Sequence, residues 1–421
     1  MRPFRRSLAF ALVLTLLLPL LPVGSALAAN DYSYVKVKLS TNNATSLTIY
    51  ASGSYFVAEN GAAFTGGTIS LRSNYDGTMT LNHSSLGDVY TGPSIRLMRA
   101  KMDKSAGYLQ LNGYRYLGHF YFSVLSSAYL RVVNEVPLAH YLYGVVGYEM
   151  SNSFPIEALK AQAIAAKGYA LSLRTGGAYD IGDTSSDQVY KGFDASATSV
   201  ISAVDSTISE VLAVNGSLLT TYYAASNGGE TMLPGQAWNG RSNTGYAVTL
   251  DPYDLRNVYS KKETVSVPLN QGGSINQGLW NLLLTKASAA TGQSCTQLYS
   301  ISAFSLHTPR YSRNLTAGSA TLSAMTAGGN ILENININFT TAELEAYSVV
   351  IDSSLRIFWG EQAANGSAYY VYLLRYGHGV GLSQRGAQQA ASEGLNYRQI
   401  LSFYYPGATL ATIPVETPTD P

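Results

Sequence analysis

PLAHYLYGVVGYEMSNSFPIEALKAQAIAAKGYALSLR, residues 137–174, decides the fold class of this 421-residue chain. Pro137 suits a first helical position, where a missing N–H leaves no bond unmade. Leu138, Tyr141, Leu142 and Val145 then fall on one helical stripe. Pro155 opens a second, alanine-rich helix, in which Ile156, Leu159, Ala163, Ala166, Ala170 and Leu173 recur at helical spacing. That spacing predicts one buried face, lined by residues small enough for a neighbour to approach closely. Gly147, Tyr148, Glu149 and Met150 lie between the two helices.

Outward from this pair the pattern changes to strands. Upstream, Val35, Val37 and Leu39 alternate with Lys36, Lys38 and Ser40, and Leu47 and Ile49 alternate with Thr48 and Tyr50. Turn signals recur at Ser52-Gly53, Asn60-Gly61, Gly66-Gly67, Asp76-Gly77 and Asn112-Gly113. Short alternating runs between such turns predict a β module. Downstream, residues 211–223 read as a hairpin around Asn215-Gly216, residues 276–290 as a helix and residues 319–374 again as strands. Two short helices follow, with Gly394 ending the first, Asn396 capping the second and Pro406-Gly407 stopping it. The expectation is an α+β fold, β-rich, with an alanine-rich helix pair in its core domain and a β module at its N-terminus.

The first residues carry an address. Arg2, Arg5 and Arg6 precede an apolar run over residues 8–21, and Ala26, Leu27 and Ala28 give a small-x-small cleavage site. This is the pattern of a secretory signal peptide; its apolar run is shorter than the roughly 20 residues of a spanning helix. Cleavage removes three arginines, so the balance of Lys and Arg against Asp and Glu moves from 27:26 to 24:26. Such a chain lacks the basic footprint of a nucleic-acid binder. It has one cysteine, Cys295, which excludes an internal disulfide and a thiolate metal cluster. The expected organisation is a signal peptide at 1–28, a β-rich module at 29–128, a principal domain at 129–412 and a flexible tail at 413–421.

Four blocks carry a family resemblance: residues 132–171 (VVNEVPLAHYLYGVVGYEMSNSFPIEALKAQAIAAKGYAL), 183–193 (DTSSDQVYKGF), 221–231 (TYYAASNGGET) and 377–387 (GHGVGLSQRGA, with YYPG at 404–407). In this order they resemble the stage II sporulation protein D / amidase-enhancer LytB family. The resemblance implies a secreted, extracytoplasmic protein of the cell envelope that acts on the glycan strands of peptidoglycan. It implies lytic transglycosylation, preferably of strands stripped of stem peptides, or a non-catalytic role as the enhancer of an N-acetylmuramoyl-L-alanine amidase. Residues 31–130 hold none of the four blocks and are expected to be dispensable for the chemistry.

A lytic transglycosylase can work with one carboxyl group. It protonates the leaving glycosidic oxygen, then accepts the proton of the sugar's C6 hydroxyl as a 1,6-anhydro ring closes. The acid must stay protonated near neutral pH, which an apolar pocket achieves by raising its pKa. Glu149, between an apolar helix and Met150, fits that task. It matches the glutamate that the family's motif implicates as catalytic; on the residues alone it reads equally as a capping carboxylate. Gln188 and Tyr190 are either sugar-binding groups or satisfied polar residues of a buried segment. Tyr223 and Ser226, beside Gly228 and Gly229, belong to a ligand-binding loop or a tight turn. His378, flanked by glycines and followed by Ser383 and Gln384, is expected to bind substrate or support Glu149; a Ser-His-acid triad through Ser383 is allowed by residue type but lacks a nucleophile-elbow sequence. An ordinary glycosidase would need a second carboxylate, for which Asp183, Asp187 and Glu230 are the candidates. Some relatives bind zinc through cysteines in the second block; here Ser185, Ser186 and Asp187 stand there, so no metal and no cofactor is expected.

Overall fold

The computed structural model describes residues 32–126, 128–260, 263–270, 274–307, 317–347, 355–415 and 420–421. The export signal read at residues 1–28 lies outside them. The alternating run at the start is strand β1 (Tyr34–Leu39), with Val35, Val37 and Leu39 buried and Lys38 exposed. There follow β2 (Ser46–Val57), β3 (Ala63–Ser73), β4 (Met79–His83), β5 (Gly87–Gly92), β6 (Ser94–Arg99), β7 (Gly107–Leu111), β8 (Tyr114–Tyr116), β9 (His119–Val124), β10 (Leu130–Pro137) and, beyond the helix pair, β11 (Ile181–Gly182). They form one sheet in the order β11-β1-β10-β9-β6-β2-β3-β4-β5, with β7 pairing β2 and β8. β10 is antiparallel to both β1 and β9, so strands from either side of residues 128 and 129 share one sheet. The fold is α+β and β-rich.

β10 runs directly into α1 (Leu138–Glu149), and α2 (Ile156–Ser172) follows a short turn. Pro137 and Pro155 each stand just before the first helical residue rather than at it. The alanine-rich helix departs from the one-faced expectation. Ala158, Leu159, Ala161, Ala163, Ile164, Ala165 and Ala166 are all buried, because small side chains let neighbours close in on every side. Those neighbours are α1, α3 (Thr198–Thr207), the strand Glu210–Val214 and the helices Gln384–Ser392 and Tyr397–Tyr404. At Gly168 a Cβ would stand 2.4 Å from the Thr221 hydroxyl oxygen, which itself bonds the Ala165 carbonyl; no larger residue fits there.

The hairpin forms around Asn215-Gly216, both at positive φ, and its first strand pairs with Thr409–Thr412 near the C-terminus. Beyond that pairing Ile413 is buried and Asp420 accepts the Met102 amide at 2.8 Å. A second apolar core, separate from the first, lies within residues 265–373. Val267, Leu279, Leu283, Leu322 and Leu373 belong to it. The helix Gln277–Thr291 there is capped by Asn276 and closed by Gly292 in the left-handed region.

Lys167, fully buried in α2, bonds the carbonyls of Thr207 and Glu210 through its Nζ. Thr207 is the last residue of α3, where unpaired carbonyls accumulate. Burial pushes the Lys167 amine down to about 7. The folded state therefore sheds this proton near neutrality, while the unfolded chain holds it until about pH 10.4. Stability is thus lost as pH falls from that value towards 7, and gained as it rises. Between pH 8 and 9.5 urea denaturation should show a gain of about 1.4 kcal/mol per pH unit. Lys167→Met should flatten that slope, and a flat profile in the parent would mean that the amine has no depressed pKa.

Candidate active site

Glu149 is the last residue of α1, where the extended backbone of Met150 ends the helix. Its carboxylate is half-buried where all four sequence blocks meet. Oε1 accepts the Val189 backbone N–H at 3.3 Å, Oε2 accepts the Gln384 side-chain amide at 3.1 Å, and the Tyr223 hydroxyl donates as well. Burial raises the pKa of Glu149, and these three donors hold the rise in check. The group is balanced between two states: desolvation favours the acid, and the donors await the carboxylate.

Behind this pocket lies a layer of hydrogen bonds closed to solvent. Tyr141 donates to Gln188 Oε1 at 2.7 Å, and Gln188 Nε2 donates to the Ala166 carbonyl at 3.1 Å and the Tyr223 hydroxyl at 3.0 Å. Because Tyr223 accepts from Gln188, its one proton is free for Glu149. Gln188 is buried with its oxygen and both N–H groups engaged, so it orients Tyr223 instead of touching a sugar. Tyr190 is buried too, donating to Asn134 Oδ1 at 2.9 Å with its ring between those of Tyr116 and Tyr141. The substrate-binding role expected of these two gives way to their buried alternative.

The same correction applies to Ser226 and Ser383. Both are buried, and both hydroxyls donate to Asp254, at 2.8 Å to Oδ1 and 2.6 Å to Oδ2. Ser383 also caps the helix Gln384–Ser392, accepting the Gly386 N–H at 2.9 Å. Its partner is therefore a carboxylate and a helix end, and no triad with His378 is formed. His378 accepts the Val380 N–H on Nδ1 at 3.0 Å and bonds the Tyr223 backbone. Burial pushes its pKa down to about 4, so the ring is neutral and supports Glu149 only by holding the Tyr223 main chain. Gln384 and Tyr223 are the two predicted residues whose side chains reach the carboxylate.

Sequence reasoning missed Asp251 and Asp254, which are both fully buried. Asp254 accepts from Ser226, Ser383 and the Asn227 backbone, joining the third and fourth blocks. Asp251 accepts from Asn227 Nδ2 and the Tyr404 hydroxyl, each at 2.7 Å, and caps the turn Pro252–Arg256. Burial, then the neighbouring Asp254 charge, pushes Asp251 up to about 6. Asp251-Pro252 was a readable cap signal; Asp254 had none. Asp254→Ala leaves two hydroxyls and an amide without their acceptor, and should lower stability by about 2–4 kcal/mol in urea denaturation. Asp254→Asn keeps one acceptor oxygen and should recover part of it; a loss below about 0.5 kcal/mol for the alanine would contradict this role.

The remaining carboxylates are occupied elsewhere. Asp183 accepts both the Ser40 N–H at 3.1 Å and the Ser40 hydroxyl, Asp187 is exposed and accepts the Gly182 N–H at 2.9 Å, and buried Glu230 lies beside the Arg375 guanidinium. None of them is among the groups that set the protonation of Glu149. Among the described residues, no three His, Cys, Asp or Glu side chains converge as metal ligands would. Next to Tyr223, the half-buried Tyr222 ring packs against Trp238 at 4.8 Å and Tyr169 at 5.9 Å, with the His378 ring 4.8 Å from Trp238.

Residues 126–213, which hold α1, α2, Glu149 and Gln188, match the family model described as stage II sporulation protein, SpoIID. This segment is similar to the SpoIID domain. Over 296 residues the chain is 31% identical to the amidase enhancer of Bacillus subtilis (strain 168), covering 64% of this chain and 40% of that protein. It is 26% identical over 300 residues to stage II sporulation protein D of the same organism, covering 66% and 75%. An uncharacterised protein of Brachyspira hyodysenteriae is 29% identical over 313 residues, covering 71% and 73%. The chain thus spans about two fifths of the amidase enhancer it matches. Tyr223, Gln384 and Asp254 stand outside the matched SpoIID segment, so the pocket is completed by residues from beyond it.

Proposed function

We propose that this chain is a lytic transglycosylase of peptidoglycan glycan strands, acting outside the cytoplasmic membrane, with Glu149 as its single acid and base. One observation carries the reading: a half-buried carboxyl with raised pKa meets three hydrogen-bond donors and, among the described residues, no second carboxylate. In the first step the Glu149 proton passes to the glycosidic oxygen as the bond to C1 of the muramic sugar breaks. The Val189, Gln384 and Tyr223 donors then stabilise the carboxylate left behind. In the second step that carboxylate takes the C6 hydroxyl proton, O6 closes on C1, and the 1,6-anhydro end forms without water. The Tyr222 and Trp238 rings beside Tyr223 offer apolar faces on which sugar rings stack.

The relative named an amidase enhancer favours a second reading, in which the groove binds glycan and stimulates an amidase without chemistry of its own. Mass spectrometry of denuded glycan strands incubated with the protein separates the possibilities. Anhydro-muramyl ends are the expected product. Reducing ends would mean hydrolysis, and an unchanged strand combined with a faster partner amidase would leave the enhancer reading.

A further inference from the structure

The second apolar core belongs to a lobe spliced between the third and fourth blocks, and none of its side chains bonds Glu149. Its first strand, Glu263–Pro268, follows the turn held by Asp254, and its last, Ala368–Tyr376, runs straight into Gly377 and His378. These two strands pair antiparallel, from Glu263 with Leu373 at the root to Pro268 with Ala368 at the far end. Leu355–Gln362 pairs with the other side of the last strand. At the root the main chains of Tyr376 and Ser226 exchange bonds at 3.0 and 3.1 Å, which ties the strand to the third block. Alternation then sorts the tyrosines of this strand. Tyr369, Val371 and Leu373 are buried in the core of the lobe. Tyr370 and Tyr372 therefore stand on the outer face, partly exposed, with ring centroids 6.5 Å apart. Exposed Ser266 and Thr264 lie opposite them on one neighbouring strand. Exposed Glu361 lies opposite Tyr370 on the other and accepts the Tyr372 hydroxyl at 2.9 Å. Two rings side by side, rimmed by hydroxyls and a carboxylate, suit a pyranose. They offer its apolar face a surface to stack on, and its hydroxyl and acetamido N–H groups acceptors at the edge. Tyr372 precedes His378 by six residues and Tyr370 by eight. At about 3.3 Å per residue, both lie within about 27 Å of it.

Resting on the reading of Glu149 as the glycan-cleaving group, we propose that Tyr370 and Tyr372 form a distal saccharide subsite, which binds the same strand several rings away from the bond to be cut. The ligand class is a polymer of N-acetylated hexosamines long enough to span from the pocket to the lobe. A short oligomer fills the pocket alone, and a long one fills both places. The second contact then forms within one complex, at the effective concentration set by the first. The lobe thereby makes the protein sensitive to strand length, a property that the pocket around Glu149 does not supply by itself.

The test is calorimetric binding to the full chain carrying Glu149→Gln, so that turnover does not intrude. The probes are a tetrasaccharide and a dodecasaccharide of peptide-free glycan. Adding Tyr370→Leu and Tyr372→Leu keeps apolar bulk on the sheet but removes both aromatic faces. This pair should weaken dodecasaccharide binding about 10–100-fold and leave the tetrasaccharide unchanged. Tyr370→Phe with Tyr372→Phe keeps the faces and should retain most of the affinity. Tyr299→Leu, which removes an exposed ring from the lobe's other sheet, should alter neither probe. Unchanged dodecasaccharide affinity in the leucine pair overturns the subsite and leaves the pocket reading intact. Equal loss of both probes also overturns it, since the rings would then only support the pocket, and a phenylalanine pair as weak as the leucine pair overturns stacking. Binding of the dodecasaccharide alone, lost with the two rings, would sink the pocket reading and keep the distal subsite. Binding of neither probe sinks both.

Discussion

Glu149→Gln is expected to abolish strand cleavage while the protein folds and binds glycan. General acid–base assistance by one positioned group is typically worth about 10²–10⁴-fold, and a residue serving both steps belongs at the upper end. Of the bonds from the Val189 N–H, Gln384 Nε2 and the Tyr223 hydroxyl, the amide oxygen can keep either of the first two. Its NH2 then faces the other donor, so a small rotation of the Gln384 side chain is expected rather than loss of fold. The pH profile of the parent offers an independent check. The first step needs the protonated acid, so cleavage should fall as pH rises through the raised pKa of Glu149. Cleavage rates on denuded strands, with calorimetric binding of the same strands, separate chemistry from affinity. A variant that still cleaves at more than about a tenth of the parental rate would remove Glu149 from the acid–base role.

The parts of this architecture legible in the sequence are those specified by neighbours along the chain. Pro137 and Pro155 located the two helices, Asn215-Gly216 located a hairpin, and Asn276 and Asn396 located helix starts. Glu149 was visible as a lone acid at the end of an apolar helix. What was not legible depends on contacts between distant residues. Gln384 meets Glu149 across 235 positions, and Ser383 meets Asp254 across 129. A serine or glutamine in a glycine-rich block looks the same whether it faces a sugar or a buried carboxylate. Ser226, Ser383, Gln188 and Tyr190 are all of the second kind, since each polar atom taken out of water needs a partner. Asp254, which satisfies two of them, sits where neither periodicity nor spacing marked it. The alanine stripe of α2 gave the helix but not its burial on all sides, because small residues do not announce how many neighbours will come.

The continuity of the large sheet leads to the other large effect. A chain beginning at Leu130 is expected to fail to fold, although residues 31–130 hold none of the four blocks. β10 would lose its partner on either side, six residue pairs with β1 and six with β9. Val35, Val37, Leu39, Phe120 and Phe122 would go with them, all buried in the core that also receives α1 and α2. At about 1.5–3 kcal/mol for each apolar side chain, the loss is comparable with the whole stability of a domain, about 5–15 kcal/mol. Polar ties would be cut as well. Asp183 depends on Ser40, the Phe193 N–H on the Arg115 carbonyl, and Asn134 Nδ2 on the carbonyls of Leu117 and His119. These hold the segment that delivers the Val189 N–H to Glu149 and β10, which feeds α1. The N-terminal strands therefore act on the site by fixing both the helix that carries the acid and the loop that faces it. Near-ultraviolet circular dichroism and hydrogen exchange on the shortened chain should report lost tertiary packing and unprotected amides, with aggregation through the bared edges of β10. A soluble protein that unfolds cooperatively and still binds denuded strands would show instead that the sheet is two units docked at β10.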